Sequence, residues 1–255
     1  MPAARRLLTA LALCLLSAPA ALAGGPLWQV STGNALVSGH YDGILPLSRL
    51  LEHGDFGLGT FDRLDGELCL LDGEVYQVTV DGAVHRPSLE TTTPFAVVAG
   101  FEPEAEAALG PLAGRNAIEA ALAALLPGGA RAQLPVAVRV DGRFARVRVR
   151  SVPAQEPPYR RLADVVDEEQ RAYTHTDVDG TLLGFWCPQS EPGFNIPGFH
   201  LHFLTDDRTA GGHVLDADLA EGTARIDVLD GVVAVLPPGA RQATATAHEM
   251  EQVER

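Results

Sequence analysis

The sequence predicts an α+β fold, a mixed α/β arrangement of two β-sheet-based domains with a few helices. Three observations carry that prediction. Turn dipeptides recur at short intervals and cut the chain into brief strand-like runs. Helical spacing is confined to two internal segments and the polar C-terminal tail. A proline-rich step, Pro153 followed by Pro157-Pro158, separates two halves. Mostly strands with a few helices is not the pattern of a doubly wound sheet.

Size and charge narrow the function. With 255 residues, 46% hydrophobic and 20% charged, the chain can build one large domain or two smaller ones. Nothing in it resembles a collagen-like, coiled-coil or low-complexity polymer. Lys+Arg 19 against Asp+Glu 33 gives a net charge of −14, a surface that repels phosphate. Neither a nucleic acid nor an anionic membrane is an expected partner.

The opening residues read as an export signal. Arg5 and Arg6 precede an apolar run from Leu7 to Leu16, and the small-residue site Ala21-Leu22-Ala23 follows. The run is too short to span a bilayer, and its flanks are those of a secretory signal peptide over residues 1–23. Cys14 would suit a lipoprotein cleavage point only after a small residue, and Leu13 is bulky. The mature chain is expected in the periplasm or the medium, without membrane contact after cleavage. It keeps Cys69 and Cys187. One disulfide is the most they could form, and their spacing suits buried small hydrophobes better.

Residues 24–152 are expected to form an N-terminal mixed-sheet domain. Glu67 to Leu71, the turn Asp72-Gly73 and Glu74 to Val80 predict a hairpin, with Asp81-Gly82 as a second turn. Asn116 can cap a helix from Ala117 to Leu126 that stops at Pro127-Gly128-Gly129. Leu134 to Val140, Asp141-Gly142 and Arg143 to Val152 predict another hairpin. Its second run alternates, with Phe144, Arg146, Arg148 and Arg150 on one side and Ala145, Val147, Val149 and Ser151 on the other.

Residues 153–255 are expected to form a C-terminal β-rich domain. A helix from Arg161 to Tyr173 gathers Leu162, Val165 and Val166 on one side. Strands follow at Thr181 to Cys187, Gly198 to Thr205, His213 to Leu219, Thr223 to Leu229 and Val232 to Leu236. A loop from Pro188 to Pro197 separates the first two, and the tail from Gln242 to Arg255 has helical character.

Three of the eight histidines stand close together in that half, in Gly198-Phe199-His200-Leu201-His202-Phe203 and Gly211-Gly212-His213. Side chains two apart on a strand point the same way, so His200 and His202 share a face while Phe199, Leu201 and Phe203 pack behind them. The intervening segment, with Asp206-Asp207-Arg208 and the two glycines, can return the chain antiparallel and bring His213 alongside. Three neutral imidazoles leave coordination positions open, as catalytic metal sites do. Zn²⁺ is the default cofactor; Mn²⁺, Fe²⁺, Ni²⁺ and Cu²⁺ fit the ligand type as well.

Around these histidines the chain resembles the alpha-acetolactate decarboxylase family. The matching stretches are Gly39-His40-Tyr41-Asp42-Gly43, Gly59-Thr60-Phe61-Asp62, Leu64-Asp65-Gly66-Glu67 and Gln155-Glu156-Pro157-Pro158-Tyr159. Gly180-Thr181, Gly184-Phe185 and the two histidine stretches complete the series. The resemblance implies two α/β domains and conversion of 2-acetolactate to (R)-acetoin and CO₂. It implies Zn²⁺ on His200, His202 and His213, with Glu67, Arg150 and a tail glutamate catalytic and Thr60 at the substrate. Glu254 is the better match for the tail residue and Glu251 its rival. A small-molecule substrate is the implied partner; oligomeric state is left open, a homodimer included.

The chemistry accepts this set. Loss of CO₂ from a β-keto acid needs a sink for electrons, and a ketone next to a hydroxyl can chelate one cation, so that a metal-stabilised enediolate needs no organic cofactor. No phosphate-binding glycine motif is present. Arg150 offers a planar fork to a carboxylate, although arginines at 146, 148 and 150 also suit a solvated strand face. Glu67 and the tail glutamate can move a proton, although either alone reads more readily as a surface carboxylate. Two other readings use the same histidines: a cupin-like metal-dependent isomerase or dioxygenase, with Asp206 as the acid, and a non-enzymatic exported zinc-binding protein.

Overall fold

The computed structural model describes residues 24–188, 193–240 and 243–254. The expected signal peptide, with Cys14, lies outside them. Among the described residues fourteen strands run in the order β1 (Leu27–Val30), β2 (Leu45–Pro46), β3 (Phe56–Thr60), β4 (Glu67–Leu71), β5 (Glu74–Val78), β6 (Val84–His85), β7 (Thr92–Thr93), β8 (Ala96–Ala99), β9 (Ala105–Leu109), β10 (Val136–Ser151), β11 (Arg171–Cys187), β12 (Gly198–Thr205), β13 (Gly211–Val228) and β14 (Val232–Val235). Five α-helices among the described residues join them: α1 (Gly33–Val37), α2 (Leu47–Leu50), α3 (Arg115–Ala123), α4 (Leu162–Glu169) and α5 (Ala247–Gln252).

The mixed, sheet-rich fold is the predicted one. One sheet has the order β14-β1-β8-β3-β4-β5-β6, a second β10-β11-β12-β13-β9, and β2 pairs with β7 in a small third. β10 also pairs with β13, so strands β10 to β13 close on themselves as a ring. Phe144, Val147, Val149, Leu201, Phe203 and Val214 fill the ring. Phe144 meets Phe203 edge-on at 5.2 Å between centroids. Each such burial contributes roughly 1.5–3 kcal/mol. The outer face of the ring packs on the first sheet through Leu183, Phe185, Leu58, Cys69 and Val97.

Sheet membership does not follow the expected boundary at residues 152 and 153. β9 and β10 precede that point yet belong to the second sheet, and β14 returns to pair parallel with β1. The prolines lie in the connection from β10 to α4, and β10 and β11 on either side of that connection are neighbours in one sheet.

The two Asp-Gly dipeptides behave differently. Asp72 and Gly73 both have positive φ, 54° and 78°, and close the predicted hairpin between β4 and β5. Asp141-Gly142 is no turn, because β10 runs straight through it. Gly142 lies opposite Gly180 of β11 and Gly222 of β13, making a row of three glycines across the ring. A β-carbon on Gly142 would sit 2.3 Å from the Glu221 carbonyl oxygen, and one on Gly180 2.5 Å from the Phe203 ring. Absence of a side chain, not turn-forming freedom, is what the position uses. β13 is likewise one strand where two were expected.

Further expectations shift with tertiary pairing. The helix expected to Tyr173 ends at Glu169, since Arg171 to Tyr173 pair with Ser151 to Val149 of β10. Asn116 does not cap α3. The helix begins at Arg115, and its first amides donate to distant carboxylates, Gly114 N to Asp218 at 2.8 Å and Arg115 N to Asp216 at 2.9 Å. The strict alternation of Arg143 to Val152 breaks too. Register shifts turn Phe144 inward with Val147 and Val149, leave Arg148 exposed and bury Arg150. Cys69 and Cys187 are buried free thiols, not a disulfide.

Candidate active site

Strand register builds the site. On β10, β13 and β12, Arg150 lies opposite His213, and His213 opposite His202. Residues directly across a ladder share a face, so all three side chains leave the ring on its outer side. His200, two residues before His202, joins them. Gly212 makes the approach possible: its φ is +137°, and a β-carbon there would lie 2.5 Å from the Arg150 carbonyl oxygen.

Imidazole centroids are 5.1 Å apart for His200 and His213, 5.2 Å for His200 and His202, and 5.5 Å for His202 and His213. One nitrogen from each falls within 4.8 Å of the others. The His202 Nδ1–H donates to the Leu68 carbonyl at 2.9 Å, which leaves the Nε2 lone pair free. That Nε2, the Nε2 of His213 and the Nδ1 of His200 are buried without hydrogen-bond partners. Burial lowers all three pKa values, aided by Arg150, and His200 falls to about 3. Neutral imidazoles with unused lone pairs suit a divalent ion. Among the described residues, these three form the one such cluster of histidine, cysteine and carboxylate side chains.

The first sheet supplies Glu67, at the start of β4 opposite Thr60 of β3. Its Oε2 lies 3.5 Å from His202 Nε2 and its Oε1 3.6 Å from Arg150 Nη1. Burial raises the Glu67 pKa to about 7 against the opposing pull of Arg150. Thr60 donates to the Gly66 carbonyl at 2.7 Å. Its hydroxyl therefore fixes the turn ahead of Glu67, and Thr60 also lines the cavity.

The tail completes the enclosure. Thr246 and Glu249 form a reciprocal capping box at the start of α5. Met250 and Val253 are buried in the main core, and the Val253 carbonyl accepts from Arg150 at 2.5 Å. Glu254 then places Oε1 3.8 Å from His200 and Oε2 3.6 Å from His213. Burial raises its pKa, opposed by Arg115 and Arg150. Glu251, the rival, is exposed. The resulting cavity, about 30 Å³, is also lined by Leu36, Leu64, Phe95, Leu162 and Ile196.

Sequence reasoning missed Arg115. It opens α3 and reaches the tail through hydrogen bonds to both the backbone and the carboxylate of Glu254. No periodic or spacing signal marked it.

Three imidazoles facing two carboxylates and a guanidinium in one cavity could hold a metal ion and leave coordination positions open. A family model described as alpha-acetolactate decarboxylase matches residues 27–247. The alpha-acetolactate decarboxylase of Methanosarcina mazei is 47% identical over 83% of this chain and 72% of its own length. That of Klebsiella aerogenes is 38% identical over 87% and 84%. The crystal structure of alpha-acetolactate decarboxylase from Bacillus subtilis strain 168 superposes with a TM-score of 0.83 at 34% identity, covering 90% of this chain and 99% of that one. The chain belongs to the alpha-acetolactate decarboxylase family, a family of carboxy-lyases.

Proposed function

We propose that this protein is an exported, zinc-dependent enzyme that converts 2-acetolactate to (R)-acetoin and CO₂ through an enediolate. The observation that carries the reading is the meeting of the His200, His202 and His213 lone pairs with Glu67, Arg150 and Glu254 in one cavity of a chain from this family.

His200, His202 and His213 would hold the zinc, which supplies Lewis-acid polarisation of the substrate ketone. The guanidinium of Arg150, buried and with its Nε unpaired, receives the carboxylate of the substrate. When the bond from carbon to carboxylate breaks, CO₂ leaves and the electron pair moves onto the ketone oxygen. One proton must then return to carbon. Glu67 and Glu254 approach the imidazoles from different elements, β4 and the tail, which supports either as the group that holds and delivers it. Thr60 holds the turn into Glu67, and the apolar lining residues keep water from the reacting carbon.

Turnover of racemic 2-acetolactate by the purified zinc protein tests this reading. Zinc-dependent acetoin of a single hand is expected. Bound zinc without turnover would favour a metal-binding protein, and oxygen uptake a cupin-like activity. Export rests on Arg5, Arg6 and the apolar run before Ala21-Leu22-Ala23. N-terminal sequencing of protein from outside the cytoplasm should begin near Gly24; an intact start at Met1 would overturn it.

A further inference from the structure

We infer that Arg115 is a positioning residue for the decarboxylation proposed above, the latch that holds the Glu254 carboxylate over the imidazoles. Its guanidinium has five N–H donors, and each has a partner. Nε donates to Glu119 at 2.6 Å. Nη1 donates to the carbonyls of Val214 at 2.7 Å and Glu254 at 2.9 Å. Nη2 donates to the Phe199 carbonyl at 2.8 Å and to Oε2 of Glu254 at 3.2 Å.

The choice of partners is what gives the residue its role. Phe199 directly precedes His200, and Val214 directly follows His213. One planar group thus ties the strands at two imidazoles to the backbone and the side chain of the tail residue that faces them. Glu119, one turn further along α3, fixes the guanidinium from behind. Arg115 makes none of the contacts to the imidazoles that Glu254 makes, so it acts through that carboxylate and touches no reacting atom itself. A lysine would keep the charge but could not serve five acceptors in one plane. Helix α3 is held at its start by Asp216 and Asp218, so the latch is mounted on a fixed element.

Three measurements on the zinc-loaded full chain test the inference. Arg115→Met should speed amide exchange in residues 247–254, and Arg115→Lys should do so less. At saturating zinc, kcat should fall about 10- to 100-fold with KM within about threefold, as expected when a catalytic group is misplaced. In a Glu254→Ala background, Arg115→Met should cost little more, because both changes remove the same interaction. Independent, multiplicative losses would overturn the inference, as would an unchanged tail exchange rate or loss of stoichiometric zinc in the Arg115→Lys protein. Tail exchange is read without substrate. A wild-type protein that bound zinc but left 2-acetolactate untouched would sink the proposed reaction and still leave the latch testable.

Discussion

The floor and the roof of the cavity are made in opposite ways. His200, His202, His213 and Arg150 stand on β10, β12 and β13, where ladder hydrogen bonds dictate which residues face one another. Glu254 arrives on a tail held by Met250, Val253, one capping box and a few side-chain contacts. Positions on a continuous sheet open only with the whole domain, whereas a terminal helix can part locally. Metal binding should therefore belong to the floor alone, with Glu254 as the roof's contribution to proton handling.

The comparison breaks most completely if the floor is damaged. His202→Ala should lose stoichiometric zinc and turnover together; zinc retained on metal analysis would refute the ligand assignment. Removing residues 251–255 should slow turnover about 100-fold while zinc stays bound, which separates roof from floor. Arg150→Lys spans both, since its fork faces the cavity and also holds Val253. It should keep the metal and slow decarboxylation about tenfold, and wild-type kinetics would return Arg150 to a structural part.

Stability changes are smaller and address the frame. Gly142→Val should destabilise the chain by about 1–3 kcal/mol in denaturant unfolding, through overpacking against Glu221. Asp218→Asn should cost about 1 kcal/mol by weakening the start of α3. The hydrogen bond from Arg146 and the Gly114 amide hold the Asp218 carboxyl below the usual range. Its contribution is therefore complete above the unfolded-state value of about 4 and fades as pH falls through the lower folded value. The difference between wild type and Asp218→Asn should shrink in acid; a constant difference would exclude the linkage.

The floor was legible because its signal is local. An i, i+2 pair of histidines on a strand must share a face, and a glycine-rich return brings the third alongside. The hairpin at Asp72-Gly73 was legible for the same reason. Asp141-Gly142 misled because the dipeptide is identical and only its neighbours, Gly180 and Gly222, reveal a different use. The arginines at 146, 148 and 150 look alike in sequence, yet one pairs with Asp216 and Asp218, one is exposed and one is buried in the site. Arg115 was illegible: its partners at 199, 214 and 254 are remote, and the segment around it reads as any short helix. Sheet membership was not legible either, since proline marks where a chain bends and not which sheet a strand joins.

The row of Gly142, Gly180 and Gly222 also acts as a checkpoint for assembly. Shifting β13 by a single residue would bring a side chain against a carbonyl where only hydrogen fits, and would turn His213 to the opposite face. Mispairings that scatter the three imidazoles are thus penalised at the far end of the same strands.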